Sequence, residues 1–142
     1  MTKILKVLFS DIQNIQKCFE IRKKVFVEEQ NCDPKDEYEN EEESTHFLLL
    51  KDNQHLATAR YRKTEKGIKM ERFAVLKKYR GSGFGHEILK EMLKDLEKNT
   101  SIKYLHAQVQ VVGFYEKIGF EKIGDIFDEV GIMHYKMIFK SN

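Results

Sequence analysis

A glycine-rich segment in the middle of the chain joins a strand-like run to a long amphipathic helix. The apolar run Phe73-Ala74-Val75-Leu76 precedes Arg80-Gly81-Ser82-Gly83-Phe84-Gly85, and apolar side chains then recur on one helix face from Gly83 to Asn99. A strand, a tight loop and a helix in direct succession are typical of a sheet with helices packed on it. This junction therefore predicts a mixed α/β fold.

The other predicted elements agree with that fold. A Ser10/Gln13 capping box begins a first helix, and a short last helix from Val111 to Ile118 ends at Gly119. The predicted strands are Lys3 to Phe9, Thr45 to Lys51, Leu56 to Lys63, Ile68 to Leu76, Tyr104 to Val109, Phe120 to Phe127 and Met133 to Lys140. The order is βα-βββ-αβαββ, and the length of 142 residues indicates a single domain, residues 1–142.

The composition is typical of a globular protein in a reducing compartment. Hydrophobic residues make up 41% and charged residues 34%, and runs such as Phe47 to Leu50 are far shorter than the ~20 residues of a membrane span. Cys18 and Cys32 cannot build a disulfide framework, and no Cys/His spacing indicates a metal site. No Lys/Arg stripe is interleaved with aromatic residues. We expect a cytoplasmic protein that binds no metal, membrane or nucleic acid.

The charge is unevenly distributed along the chain. Its net charge is +2, yet six of the eight residues from Asp36 to Glu43 are acidic and none is basic. One interpretation is a solvated loop, the usual structure of a charge block. The other is a surface that attracts a cationic acceptor to the mouth of a site.

The glycine-rich loop is a candidate phosphate-binding site. Glycines let the backbone approach a ligand closely, and the free N–H groups at a helix N-terminus favour an anion. Arg80 adds a positive charge. The segment lacks the Gly-Lys-Ser/Thr of a Walker loop and lies too far along the chain for a dinucleotide fingerprint. A plain glycine turn is the alternative interpretation.

Two motifs in sequence resemble those of the GNAT superfamily of N-acetyltransferases. Val75 to Gly85 resembles the acetyl-CoA pyrophosphate motif Arg/Gln-x-x-Gly-x-Gly/Ala, and Phe114 to Phe120 resembles the Phe-Tyr-x-x-x-Gly-Phe of the fourth helix. The predicted order of elements matches that superfamily over essentially the whole chain. The small bacterial branch called YjcF-like or ElaA-like is more similar still, at Arg22 to Gln30, Ala57 to Arg62, Glu71 to Leu76, Ala107-Gln108 and Gly131 to Met137.

The resemblance implies a bacterial, acetyl-CoA-dependent N-acetyltransferase that moves an acetyl group directly to a primary amine of a small molecule or protein. It implies a mostly antiparallel sheet flanked by helices, in which the fourth and fifth strands splay apart. The implied cofactor contacts are the strand residues Phe73, Ala74 and Val75, the pyrophosphate loop of Arg80, Gly81, Ser82, Gly83, Phe84 and Gly85, and, near the thioester, Gln108 and Tyr115. Many members have Asn where this chain has Gln108.

Two residues are candidate catalysts. Tyr115 is the candidate general acid, since a phenol of pKa ~10 can protonate a leaving thiolate; packing beside Phe114 is the alternative. Glu71 is the candidate base, because strand alternation places it on the same face as Phe73 and Val75. Glu71 could equally pair with an arginine of the neighbouring strand, Arg60 or Arg62.

Other groups and other functions stay open. His46 and His134 lie in predicted strands among apolar residues, where a histidine is more often structural than catalytic. A CoA-binding sensor without turnover is the main alternative to the enzyme, and a nucleotide-phosphate-binding module rests on the glycine loop alone. The amine acceptor is unidentified, and a homodimer is left open.

Overall fold

The computed structural model describes residues 1–140, apart from the side chain of Asp36. One seven-stranded sheet has the order β1-β2-β3-β4-β5-β7-β6. The strands are β1 (Thr2–Val7), β2 (Thr45–Lys51), β3 (Gln54–Thr64), β4 (Gly67–Val75), β5 (Lys103–Gln108), β6 (Phe120–Glu129) and β7 (Ile132–Phe139). The helices are α1 (Ile12–Arg22), its π-helical continuation Lys23–Glu29, α2 (Pro34–Glu37), α3 (Phe84–Asp95) and α4 (Val112–Ile118). The predicted mixed fold and the order of its elements are confirmed, with α2 added inside the predicted acidic loop.

Neighbouring strands are antiparallel, except that β4 and β5 run parallel. The crossover between these two strands is α3, as a parallel connection requires. Within residues 1–140, no helix is long and apolar enough to cross a membrane.

The sheet separates two apolar layers. On the side that we call the α3 face, α3 and α4 cover residues that include Phe47, Leu49, Met70 and Leu105. On the other side, the α1 face, the core is formed by Val7, Ile15, Cys18, Ile21, Val25, Leu48 and Ala74. Alternation along each strand decides which layer a side chain enters.

The N-cap of the first helix and the length of the β2–β3 turn differ from the predictions. The N-cap of α1 is Asp11, whose carboxylate accepts the N–H of Asn14 at 3.3 Å, so the predicted Ser10 capping box is wrong by one residue. The β2–β3 turn has only two central residues, Asp52 and Asn53, with φ of 52° and 67°. Positive φ at both positions is typical of the tight hairpin turn that asparagine and aspartate tolerate.

A bulge in β4 changes which side chains share a face. Thr58 lies opposite Ala74, but Arg60 lies opposite Glu71, so β4 has one extra residue at Arg72, whose φ is 58°. Alternation therefore restarts at this point. Glu71 lies on the α1 face opposite Arg60, whereas the next residue on the α3 face is Phe73. The prediction that Glu71 shares a face with Phe73 and Val75 is wrong.

Gly67 permits the close approach with which β4 and β5 begin to pair. Its φ is 132°, and a Cβ built on it would lie 2.3 Å from the carbonyl oxygen of Ile102. That oxygen also accepts the N–H of Ile68 at 2.7 Å. A side chain here would push the two strands apart.

We therefore expect Gly67→Ala to lower the free energy of unfolding by about 2–3 kcal/mol, because the clash is with backbone and the φ is strained. Urea unfolding measures this loss. Gly131→Ala is the matched control: its φ is 80° and no atom lies within 4 Å of the built Cβ. It should cost only ~1 kcal/mol, the usual cost of positive φ. Equal losses would contradict the assigned contact.

Candidate active site

Strands β4 and β5 are paired only at their beginnings. The described partners are Ile68 with Lys103 and Lys69 with Tyr104, although β4 continues to Val75 and β5 to Gln108. Beyond these pairs the two strands diverge and leave an opening in the middle of the sheet. We call this gap the β4–β5 opening.

Two N–H groups of β4 point into the opening. The N–H of Leu76 donates to Leu56 of β3 at 3.0 Å, and in an antiparallel ladder alternate residues point to the same neighbour. Ala74 therefore pairs with β3, whereas Phe73 and Val75 turn their N–H groups toward β5, which no longer reaches them. The side chain of Ala74 is buried on the α1 face. Of these three predicted contact residues, Ala74 is the one that does not face the opening.

The glycine loop adds a second set of free donors at the end of the opening. Gly81 and Gly83 have φ of 88° and 83°, which lets Gly83 occupy the N-cap of α3 in the left-handed conformation. None of the N–H groups of residues 81–86 donates a hydrogen bond to another described residue. Six successive free donors at a helix N-terminus are an arrangement that favours an anion.

Arg80 is already engaged beside this loop. Its guanidinium binds both carboxylate oxygens of Glu29 at 2.6 and 2.7 Å, and its Nε donates to the carbonyl oxygen of Val75 at 2.9 Å. This hydrogen bond from Arg80 lowers the pKa of Glu29. The sequence assigns no role to Glu29, and an anion bound at the loop would share Arg80 with it.

Tyr115 closes the α3-face side of the opening. Its ring contacts Phe73 at a centroid distance of 5.9 Å and also packs on Phe114 and Phe120. Its hydroxyl makes no hydrogen bond to the described residues, and burial raises the pKa of Tyr115 well above its usual value. The phenol is therefore protonated across the neutral range and free to donate.

Glu71 is held by arginines. Its Oε2 accepts from Arg60 at 2.8 Å and from Arg62 at 2.7 Å, and Lys69 lies 3.5 Å from the other oxygen. These cations outweigh burial and lower the pKa of Glu71 to about 2. A carboxylate with so low a pKa is a poor proton acceptor. The contacts of Glu71 are thus those of the alternative prediction, an ion pair with the arginines of β3. They do not support the predicted role as a base.

The acidic run is only partly a solvated loop. Glu37 binds Arg22 at 2.7 Å, and Glu41 joins Arg22 at 2.8 Å to Arg60 at 2.7 Å. Arg22 and Arg60 are each only 1% exposed. Carboxylates of the run are therefore the partners of two buried arginines that need compensation.

Three other carboxylates of the run border an open cleft. Glu39, Glu42 and Glu43 are exposed, and they line this cleft of about 640 Å³ with the rings of Phe9, Phe19 and Tyr38. The predicted attraction of a cationic acceptor thus rests on exposed carboxylates such as these three, since Glu37 and Glu41 bind buried arginines.

Three other candidates have structural contacts. His46 is buried, contacts the carbonyl oxygen of Glu41 at 3.1 Å, and burial lowers its pKa. Burial raises the pKa of Cys18 to about 11, which keeps this thiol protonated. Gln108 ends β5 and accepts from the side chain of Gln110 at 2.7 Å.

A histidine and carboxylate cluster lies on β5, β6 and β7. Nδ1 of His106 is 3.0 Å from Oε1 of Glu129, and Nε2 of His134 is 3.5 Å from Oε2 of the same carboxylate. The ring of Phe127 contacts both imidazoles, at centroid distances of 5.0 Å to His106 and 5.9 Å to His134. Residues 106 and 129 are far apart in sequence, so no local motif could have revealed the pair. No metal-binding group of three or more ligands occurs within residues 1–140.

Comparison with known proteins identifies the family. The model of the acetyltransferase (GNAT) domain matches residues 13–141. The chain belongs to the GNAT family of acetyltransferases. It is 31% identical over 135 residues to the Bacillus subtilis N-acetyltransferase YjcF, covering 93% of this chain and 96% of that protein. The predicted resemblance is therefore confirmed.

Solved GNAT structures have the same fold. The crystal structure of Escherichia coli ElaA matches 99% of this chain and all of that chain, with a TM-score of 0.87 and 24% identity. The N-acetyltransferase PaiA of Thermoplasma acidophilum, solved in complex with coenzyme A, matches 99% of each chain with a TM-score of 0.69 and 15% identity. Within this GNAT fold, both motifs of the sequence border the β4–β5 opening.

The ion pairs of Glu71 lead to a pH-dependent prediction. Its pKa is lowered from 4.5 to about 2, so its contribution to stability is complete above pH 4.5 and is lost as the pH falls through 2. Such a shift corresponds to about 3 kcal/mol. Glu71→Gln should therefore lower the free energy of unfolding by roughly that much at pH 7. The difference in this free energy between the variant and the wild type should shrink toward pH 2.

Urea unfolding at a series of pH values measures this difference. Glu65→Gln, at an exposed position in the β3–β4 turn, is the control and should behave like the wild type. A Glu71→Gln deficit that does not depend on pH would contradict the ionised, arginine-bound state.

Proposed function

We propose that the protein is an acetyl-CoA-dependent N-acetyltransferase that transfers the acetyl group directly to a primary amine of a small molecule or protein. The observation that carries the proposal is an interrupted row of free backbone donors, formed first by the N–H groups of Phe73 and Val75 and then by those of residues 81–86. This row offers amide partners along an extended chain and an anion site at its end. Pantetheine and the diphosphate of CoA have this combination of chemistry.

The residues would divide the work as follows. The N–H groups of Phe73 and Val75 pair with pantetheine, and the Val75 N–H stabilises the developing oxyanion of the thioester. Gly81, Ser82, Gly83, Phe84 and Gly85 bind the pyrophosphate through their N–H groups, while Arg80 contributes charge. Gln108, at the other wall of the opening, supplies an amide to the cofactor.

Proton donation to the thiolate falls to Tyr115. Its hydroxyl is protonated and makes no hydrogen bond to the described residues, and its ring lies against Phe73, which also contributes an N–H to the opening. A sensor that only binds CoA has no need of such a donor. This residue favours the enzyme over the regulatory module, although both would bind CoA.

The fold does not identify the acceptor amine, so the amine screen described below is needed to identify it. Exposed carboxylates at residues 39, 42 and 43 favour a cationic amine. A location in the cytoplasm agrees with two cysteines that need no oxidising compartment.

A thiol-release screen with acetyl-CoA tests the proposal. The panel comprises amino sugars, polyamines, amino acids, aminoglycosides and peptides, and mass spectrometry identifies the acetylated nitrogen. CoA and ATP added separately in a thermal-shift assay test the binding site, where only CoA should stabilise the protein. CoA binding without turnover on any amine would contradict the enzyme and favour the sensor. Stabilisation by ATP alone would favour the nucleotide-binding module.

We expect Gly83→Val to weaken CoA binding at least 10-fold, about 1.4 kcal/mol. A Cβ at Gly83 meets no protein atom within 4 Å, so the added side chain would extend into the space that the diphosphate needs. Isothermal titration with CoA gives the affinity. Gly124→Val is the matched control, since Gly124 has a similar φ of 75° and open space but lies on β6. Unchanged CoA affinity in folded Gly83→Val would refute the loop assignment.

We expect Tyr115→Phe to lower the rate of the chemical step by ~10²-fold and to leave CoA affinity nearly unchanged. Because the hydroxyl has no partner among the described residues, its removal should not destabilise the fold. Quenched-flow single turnover isolates the chemical step. A wild-type rate in that measurement would assign Tyr115 to packing alone.

A further inference from the structure

We propose that His106 accepts the proton that the acceptor ammonium must lose, and that Glu129 is the positioning residue that holds it for this task. The inference rests on the proposed acetyl transfer, which needs a neutral amine as its nucleophile. It assigns the base to a residue outside both sequence motifs.

The His106–Glu129 pair fixes the tautomer of the imidazole. Because hydrogen bonding by His106 lowers the pKa of Glu129, this carboxylate is ionised and can only accept. Nδ1 of His106 must therefore donate the 3.0 Å hydrogen bond. In the neutral ring, Nε2 then holds the lone pair, and it makes no hydrogen bond to the described residues. A carboxylate that orients an imidazole with a free Nε2 is a general-base arrangement.

The pair lies at the β4–β5 opening. Leu105 and Ala107 enter the α3-face core, so His106 between them lies on the α1 face. His106 is two residues beyond Tyr104, the last described β5 residue that pairs with β4. Glu71 is likewise two residues beyond Lys69, so His106 and Glu71 form opposing walls of the opening. Glu71 is bound by Arg60 and Arg62, whereas Nε2 of His106 makes no hydrogen bond to the described residues.

The charged and titratable residues around His106 and Glu129 come from four strands. Lys136 of β7 is its cross-strand partner, and Lys69 of β4 acts electrostatically on Glu129. On its own strand, the Tyr104 ring lies 5.9 Å away. Glu129 of β6 is the anion of the cluster. His134 is less suited to accept a proton, because Nδ1 contacts the carbonyl oxygen of Ile132 at 2.7 Å and Nε2 faces Glu129.

The proposed step balances in protons and electrons. Nε2 of His106 takes one proton from the ammonium, and the freed nitrogen pair forms the C–N bond with the thioester carbonyl carbon. As the C–S bond breaks, its electron pair stays on sulfur, which takes the proton of Tyr115. The second proton of the nitrogen restores the tyrosine, and His106 releases its proton to solvent. The products are an amide, a free thiol and one proton.

The first test is His106→Asn, with the panel amine that the wild type acetylates fastest as the probe. We expect kcat/KM for that amine to fall at least 10²-fold at pH 7, and the CoA dissociation constant to change less than 3-fold. The loss should shrink as the pH approaches the pKa of the amine, because a deprotonated acceptor needs no base. A packing role alone would give a loss that does not depend on pH, and this result would overturn the proposal.

His55→Asn is the matched control. This histidine also pairs with a glutamate, Glu20 at 2.9 Å, but it lies on β3, which β4 separates from β5 in the sheet. It should keep wild-type kinetics at every pH. If the wild type binds CoA and acetylates no panel amine, the proposed function fails, and the second test still decides the state of His106.

The second test reads the imidazole directly by ¹⁵N NMR of the ring nitrogens at neutral pH. We expect a protonated Nδ1 and an unprotonated Nε2 in the wild type, and a mixture of tautomers in Glu129→Gln. Glu121→Gln, exposed on the same strand, should match the wild type. A protonated Nε2 in the neutral wild-type ring, or no change in Glu129→Gln, would overturn the proposal.

Discussion

The extra residue in β4 is the constraint on which the site depends. Arg72 has a positive φ, a conformation that costs a non-glycine residue about 1–3 kcal/mol and persists only where surrounding contacts enforce it. Bulges bend a strand and redirect its side chains. In this sheet the bulge lies between Glu71, fixed to the arginines of β3, and Phe73, which turns to the other face. The same residue therefore separates the structural part of β4 from the part that faces the opening.

Buried ion pairs supply the contacts that enforce this backbone. Arg72 contacts Glu37, which binds Arg22, and Arg60 connects Glu41 to Glu71. Removing one partner of such a network leaves a buried charge uncompensated, which typically costs 3–5 kcal/mol. The acidic run is thus first a structural element that fastens the segment after α1 to β4. Its exposed carboxylates border the cleft that Phe9, Phe19 and Tyr38 also line.

The sequence could predict the features that depend on neighbouring residues in the chain, and not those that depend on contacts between distant strands. The strand, glycine loop and helix around Gly83 are contiguous, so their order and their free N–H groups follow from periodicity and glycine chemistry. The bulge could not be predicted, because no glycine marks Arg72 and simple alternation continues through it. The pairing of His106 with Glu129 also depends on strands that meet only in the folded sheet. The sequence leaves Glu71 open between a base and an ion-pair partner of Arg60 or Arg62, and the folded sheet places it against both arginines.

The two faces of the sheet give the proposed reaction a direction. Tyr115 lies on the α3 face and His106 on the α1 face, with the β4–β5 opening between them. A thioester held in that opening would present its sulfur to one face and its carbonyl carbon to the other. The amine would then enter from the α1 face, where the exposed carboxylates of the acidic run lie beyond the ion pairs of Glu37 and Glu41. Because burial raises the pKa of Cys18 to about 11, this residue has little thiolate from which an acetyl-cysteine could form. The proposed direct transfer is the mechanism that uses both Tyr115 on the α3 face and His106 on the α1 face.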